Sequence, residues 1–150
     1  MMRFSCNNIE LYITTVALKT MHKYKQLKIT SKESGGVLLG QVVGDKFYIT
    51  RVSVPNKYDK QSRYSFHRDK DIAQIICDYE FLNSQGKTVY LGEWHTHPEA
   101  IPKPSEKDKE MIAEQFHLGR NLKQFVFLVI QGQKELFVGI YDGEKFCVMK

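Results

Sequence analysis

Gly92-Glu93-Trp94-His95-Thr96-His97-Pro98, followed by Pro104-Ser105-Glu106-Lys107-Asp108, is the stretch on which the reading of this chain turns. Residues 87–94 read as a strand that runs directly into His95. Side chains alternate along a strand, so His95 and His97 point the same way and their imidazoles can share one metal ion. Pro98 ends the strand at once and leaves the pair at the open end of a sheet. Ser105 begins a helix, and Asp108 lies on its first turn. A connection this short can bring that turn back over the histidines. Two imidazoles and a carboxylate fill three positions of a tetrahedral zinc and leave the fourth for water, as a catalytic site requires. A closed structural site needs a fourth protein ligand, and none is evident.

Each piece also has a plainer reading. A His-x-His pair by itself is more often exposed or hydrogen-bonded than metal-binding. Ser105 and Asp108, ahead of an apolar periodicity, form a variant of the helix capping box. The two roles conflict in part, because a carboxylate on a metal is not expected to reach back to the cap. The conjunction decides in favour of a metal centre: strand end, His-x-His-Pro, a short proline-bearing loop, then Ser-x-x-Asp.

Upstream, residues 8–25 read as an amphipathic helix, with Ile9, Tyr12, Ile13, Val16, Thr20 and Tyr24 at helical spacing. Residues 36–43 and 46–54 read as strands joined at Gly44-Asp45, a hairpin signal. Residues 55–68 are polar, basic and turn-rich, as in a surface loop. A second helix is predicted over 69–82, with Ile72, Ile75, Ile76, Tyr79 and Leu82 on its apolar face. The third runs from Ser105 to near Gly119. Strand-like runs 124–131, 135–142 and 145–149 close the chain, with turns at Gly132 and Asp142-Gly143. Helices interspersed with hairpins predict an α+β or mixed α/β sandwich around one sheet.

The chain has 150 residues, 42% hydrophobic and 26% charged, which suits one globular domain over 1–150 with a core that needs no staple. No apolar run is long enough to cross a bilayer, and the N-terminus lacks the apolar core of a secretory signal. Cys6, Cys77 and Cys147 are odd in number and widely spaced, which argues against a disulfide framework or thiolate zinc and for a cytoplasmic setting. The net charge of +5 is spread along the chain without a nucleic-acid-binding motif, so neither nucleic acid nor membrane is an expected partner.

His95-Thr96-His97-Pro98, six residues, then Ser105-Glu106-Lys107-Asp108 resembles the signature of the JAMM (MPN-plus) metalloproteases. Glu33-Ser34-Gly35-Gly36-Val37-Leu38-Leu39-Gly40 matches the glutamate and glycine pair that the same family carries ahead of its first core hairpin. The resemblance covers nearly the whole chain. It implies a cytidine-deaminase-like MPN (JAB) fold, with a central mixed sheet flanked by helices and one catalytic Zn2+ held by His95, His97 and Asp108. It further implies that Glu33 takes a proton from the attacking water and delivers it to the leaving amine. Ser105 resembles the serine that helps hold the oxyanion, although capping explains a serine there equally well. Glu33 alone would pass for a solvated loop residue, and Gly35-Gly36 serve backbone conformation or close packing.

Flanking residues narrow the likeness. Tyr90 to Glu99 and Ser65-Phe66-His67-Arg68-Asp69 resemble a bacterial subgroup encoded beside E1- and E2-like proteins, including in type II CBASS antiphage operons. Its members are deconjugating, deubiquitinase-like isopeptidases. The partner implied is the extended C-terminal tail of a ubiquitin-like or conjugated protein, bound by β-augmentation between loops 55–68 and 98–104. Two alternatives keep the fold: a peptidase processing sulfur-carrier proteins, and a non-catalytic MPN interaction module. Glu93 lies on the same side as His95, as a ligand-orienting or substrate-contacting group, whereas Trp94 faces the core. Lys57, Lys60, Arg63 and Arg68 read as a solvated loop or as a contact for an acidic modifier.

Overall fold

In a computed structural model, which describes residues 1–119 and 125–150, eight strands build one mixed sheet. β1 (Met2–Cys6) pairs antiparallel with β2 (Ile9–Ile13), and β2 runs parallel to β4 (Lys46–Val52). β3 (Gly35–Val43) lies between β4 and β7 (Val89–Thr96), antiparallel to both. β8 (Val126–Gln131) runs parallel to β7, and β9 (Leu136–Tyr141) and β10 (Phe146–Val148) follow by antiparallel pairing. β5 (Lys60–Ser62) and β6 (Ser65–His67) form a separate hairpin. Three helices accompany the sheet: α1 (Thr15–Lys23), α2 (Lys70–Asn83) and α3 (Glu106–Leu118). Ser5 and Lys150 exchange backbone hydrogen bonds at 2.6 and 3.0 Å, so the first strand meets the chain end.

The central strands are apolar on both faces because both are covered. Leu38, Phe47, Ile49, Trp94, Phe127 and Val129 join Ala17 and Met21 of α1 in the main core. Their sequence neighbours point the other way: Val37 and Leu39 pack with Ala73 of α2, while Val126, Leu128 and Ile130 pack with Ile112 of α3. Trp94 is buried as predicted, and its indole N–H donates to Ser53 O at 2.9 Å.

The mixed α/β architecture matches the sequence reading, with four local differences. The helix predicted over 8–25 is split: Ile9–Ile13 is a strand, and the helix starts only after Thr14, whose side chain caps Ala17 N. Leu11 and Ile13 are both fully buried, so a period of two governs that run, and its β-branched residues suit the extended form. β1 had no sequence signal strong enough to predict it. On α2 the buried face is Ala73 with Ile76 and Cys77, whereas Ile75, Tyr79 and Leu82 are exposed. Val37 and Leu39 of β3 and Tyr90 of β7 are what this face packs against. Loop 55–68 contains the β5–β6 hairpin, and of the strand predicted over 124–131 residue 124 lies outside the described residues. No helix among the described residues is long and apolar enough to cross a membrane.

Candidate functional site

Register assembles the site. Gly35 lies opposite His95 in the β3–β7 ladder. Beyond it, Thr96 N donates to Ser34 O at 2.8 Å and Ser34 N donates to Thr96 Oγ1 at 2.9 Å. Continuing two residues sets Glu33 across from His97. A Cβ on Gly35 would overlap Trp94 O and the Phe66 ring, so only glycine lets the chain pass this close to β7. Close packing therefore explains this glycine.

The approach to Glu33 is anchored from two sides. Its backbone N–H donates to Ser62 O at 2.7 Å, and its carbonyl accepts from Gln61 Nε2 at 3.0 Å. Gln26, fully buried, donates to Ser31 O at 3.2 Å and Arg63 O at 2.8 Å and accepts from Thr96 Oγ1 at 2.8 Å. One glutamine side chain thus joins the segment ahead of Glu33, the β5–β6 hairpin and the histidine strand.

His95, His97 and Asp108 converge. The two imidazole Nε2 atoms lie 3.1 Å apart, and Asp108 spans them, with Oδ1 3.1 Å from His95 and Oδ2 3.2 Å from His97. Glu33 Oε1 is 4.0 Å from His95 Nε2. Glu33, His95 and His97 also form a potential donor group within 4.8 Å, but Asp108 stands closer to both imidazoles. Asp108 is therefore the third member of the tight cluster, and Glu33 stands beside it.

The capping box forms while Asp108 still faces both imidazoles. Ser105 N donates to Asp108 Oδ2 at 2.8 Å, and Asp108 N donates to Ser105 Oγ at 3.1 Å, completing a capping box. A carboxylate oxygen has more than one lone pair, so Oδ2 can serve the cap and still face His97. Ser105 is brought to the rim of the cluster, and its hydroxyl proton makes no hydrogen bond among the described residues.

Burial pushes the Glu33 carboxyl up, His95 and His97 oppose it and Asp108 adds to it, leaving it at about 7. Burial also disfavours the charged form of Asp108, but hydrogen bonds from both imidazoles, the charge on His95 and the Ser105 N–H hold it well below the usual carboxylate range. For His97, burial works toward the neutral ring and is outweighed by Asp108 and Glu99, so its pKa is raised.

Two features escaped the sequence reading. Glu99 Oε1 sits 2.9 Å from His97 Nδ1, an arrangement that fixes the ring and turns Nε2 toward Asp108. Its signal was present as the acid two residues past His97, hidden by the intervening Pro98. The second is the partner set of Glu93. Arg68 donates to it from Nε at 2.6 Å and from Nη2 at 3.3 Å, Tyr90 OH donates to Oε2, and Arg68 Nη2 also reaches Gln115 Oε1 at 3.0 Å. Glu93 thus ties the end of the hairpin, β7 and α3 together beside His95. His22, His67 and His117 are exposed.

The sequence and fold are similar to those of known proteins. Residues 17–140 match the family described as prokaryotic homologues of the JAB domain. A Pseudomonas aeruginosa protein named CD-NTase/cGAS isopeptidase is 34% identical over 137 residues, covering 91% of this chain and 86% of the relative. A protein of the same name from Escherichia coli is 34% identical over 127 residues, covering 85% and 79% of the two chains. One from Vibrio cholerae is 33% identical over 129 residues, with the same coverage. Among solved structures, a Desulfitobacterium hafniense protein determined in solution superposes with a TM-score of 0.62 at 20% identity, covering 92% of this chain and 88% of that one, a likeness of fold.

Proposed function

The chain belongs to the family of prokaryotic homologues of the JAB domain, and from that premise we propose that it is a zinc-dependent isopeptidase. It would release a conjugated protein by hydrolysing the amide at that protein's C-terminus, in antiphage CBASS systems. The relatives named CD-NTase/cGAS isopeptidase make a CD-NTase the first candidate for the protein released.

The observation that carries the reading is the convergence of three donors of the right chemistry. In a tetrahedral site with Zn–N distances of about 2.0–2.1 Å, donors lie roughly 3.3 Å apart. The two Nε2 atoms are 3.1 Å apart, and each lies 3.1–3.2 Å from one oxygen of Asp108. Glu99 on Nδ1 of His97 favours the tautomer whose Nε2 lone pair faces the cluster. His95, His97 and Asp108 would hold the ion. When bound, zinc would supply a Lewis acid and bring the pKa of its water to about 7.

The chain's own groups account for the proton traffic. Glu33, buried and beside the cluster, would accept a proton from the attacking water and return it to the leaving amine. Ser105, with its hydroxyl proton uncommitted, would donate to the oxygen that gains charge on the scissile carbonyl. The β5–β6 hairpin, bonded to the Glu33 backbone, would offer main-chain groups to an extended tail.

Metal analysis of the purified protein, with cleavage of a CD-NTase conjugate in the presence and absence of chelator, tests the reading. Stoichiometric zinc, chelator-sensitive cleavage, and loss of cleavage in Glu33→Ala and Asp108→Ala are expected. A protein free of bound zinc, or variants that cleave at the parental rate, would sink it.

A further inference from the structure

Lys25, Lys28, Lys32, Lys60 and Arg63 are five of the 22 lysines and arginines of a chain with a formal net charge of +5. They lie on two acid-free stretches, one between Glu10 and Glu33 and the other between Asp59 and Asp69. The stretches are bonded to each other. The Arg63 guanidinium donates to the carbonyls of Lys28 and Ile29, and Gln26 Nε2 donates to Arg63 O at 2.8 Å. None of the five forms an ion pair among the described residues.

Apolar groups sit among these charges. Ile29 and Tyr64, 83% and 76% exposed, are the two most exposed large apolar side chains among the described residues, and Leu27 is 68% exposed. Arg63 joins them: its Nε donates to Tyr64 OH at 3.2 Å and its guanidinium lies 5.5 Å from the Tyr64 ring centroid. The turn that presents Ile29 is held by Ser31, with Ser31 N on Lys28 O at 3.0 Å and Lys28 N on Ser31 Oγ at 3.1 Å. Aliphatic and aromatic side chains held outward by a rigid turn, inside a basic rim, are the makings of a protein interface rather than a solvated loop. A phosphate backbone would use the charges but offers little to Ile29 or Leu27.

We propose that this patch docks the folded body of the protein whose tail is cut, and that this body meets it with an acidic, partly apolar surface. Lys32 adjoins Glu33, so a body seated here would feed its C-terminal tail directly to the His95–His97–Asp108 cluster. The inference rests on the isopeptidase reading for the tail. The surface itself is built from residues outside the cluster.

The test uses two probes: the folded CD-NTase of the same genome with its tail intact, and a synthetic peptide of that tail alone carrying an amide-linked fluorophore. Binding of the folded protein is measured for the parent, Ile29→Asp and the pair Lys28→Glu/Lys32→Glu. The expected result is affinity lowered about tenfold or more in both variants, parental binding that weakens with salt, and peptide cleavage within about twofold of the parent. Thermal melting of each variant, with Ile29→Ser as the milder change, separates lost binding from lost folding. Parental affinity retained by both variants overturns the proposal, as does the absence of binding by the parent. Displacement of the folded protein by duplex DNA also overturns it and makes the patch a nucleic-acid surface. A parent that fails to cleave the peptide sinks the isopeptidase reading instead, and the binding measurement still judges the surface.

Discussion

Asp108 accepts the backbone N–H of Ser105 at 2.8 Å through Oδ2, the same oxygen that lies 3.2 Å from His97 Nε2. One atom thus closes the first turn of α3 and faces the imidazole pair, so the helix cap is what aims the carboxylate.

Ser105 can be separated into cap and chemistry by two substitutions. Glycine is tolerated at an N-cap at a cost of a few tenths of a kcal/mol, whereas alanine costs about 1 kcal/mol. Ser105→Gly should therefore melt close to the parent and Ser105→Ala several degrees lower. If the hydroxyl stabilises developing charge, both lose about 10²–10³ in kcat with KM little changed. A kcat that tracks stability instead of the hydroxyl would leave Ser105 with capping alone.

Glu33 predicts a pH signature in the metal-free protein. Its carboxyl is raised from 4.5 to about 7, so the folded chain holds the proton more tightly than the unfolded one between those values. Its contribution to stability is present below that window and falls as pH rises through it. Glu33→Gln cannot ionise and escapes the loss. With chelator present, urea unfolding should find the variant more stable than the parent at pH 8, by up to about 3 kcal/mol, and equal to it near pH 4. Equal stability at both pH values would count against the buried placement of Glu33.

Glu99 should act on metal affinity rather than on the fold. Its side chain is about half exposed, at 48%, so Glu99→Ala should unfold at nearly the parental temperature. Loss of the partner on His97 Nδ1 should weaken zinc binding about 10–100-fold, read by competition with a chromophoric chelator. Glu99→Gln, which still accepts a hydrogen bond, should recover part of that loss. An affinity unmoved by Glu99→Ala would leave His97 oriented by its backbone alone.

Arg68 and Glu93 should behave as a coupled pair. Their side chains are 17% and 6% exposed, and removing either leaves the other charge without its partner in a poorly solvated place. Burial already pushes the Glu93 carboxyl up despite Arg68 and Tyr90. Arg68→Met alone should cost about 3–5 kcal/mol in chemical denaturation, and adding Glu93→Gln should restore part of it. Additive losses would show that the ion pair is not the unit holding hairpin, β7 and α3 together.

Much was legible from the sequence, and for identifiable reasons. His95 and His97 share a side because strand alternation is local, and Ser105 and Asp108 share a helical turn because capping spans only three residues. The mixed sheet followed from apolar runs bounded by turn residues. The split of residues 8–25 into β2 and α1 was not legible, since Ile9, Leu11 and Ile13 fit a strand while Ile9, Tyr12, Ile13 and Val16 fit a helix. Only the pairing of β2 with β4 chose between them. The face of α2 was misread in part: Ile76 packs toward the sheet as predicted, but Ala73 and Cys77 join it there, whereas hydrophobicity alone favoured Ile75, Tyr79 and Leu82, which are exposed.

The sequence by itself determined the local aim of His95, His97 and Asp108, because spacing of two along a strand and three along a first helical turn needs no tertiary contact to act. Whether those side chains meet was decided by the fold. Sixty-two residues separate Glu33 from His95, and the β3–β7 register alone brings them within 4.0 Å. Glu93 illustrates the same division: alternation set it on the side of His95, but Arg68 from the end of the hairpin, itself held by Gln115 of α3, settled that it braces the site. Local geometry is written in short-range sterics, whereas the partners of a buried charge depend on which distant segments the packed core brings to it.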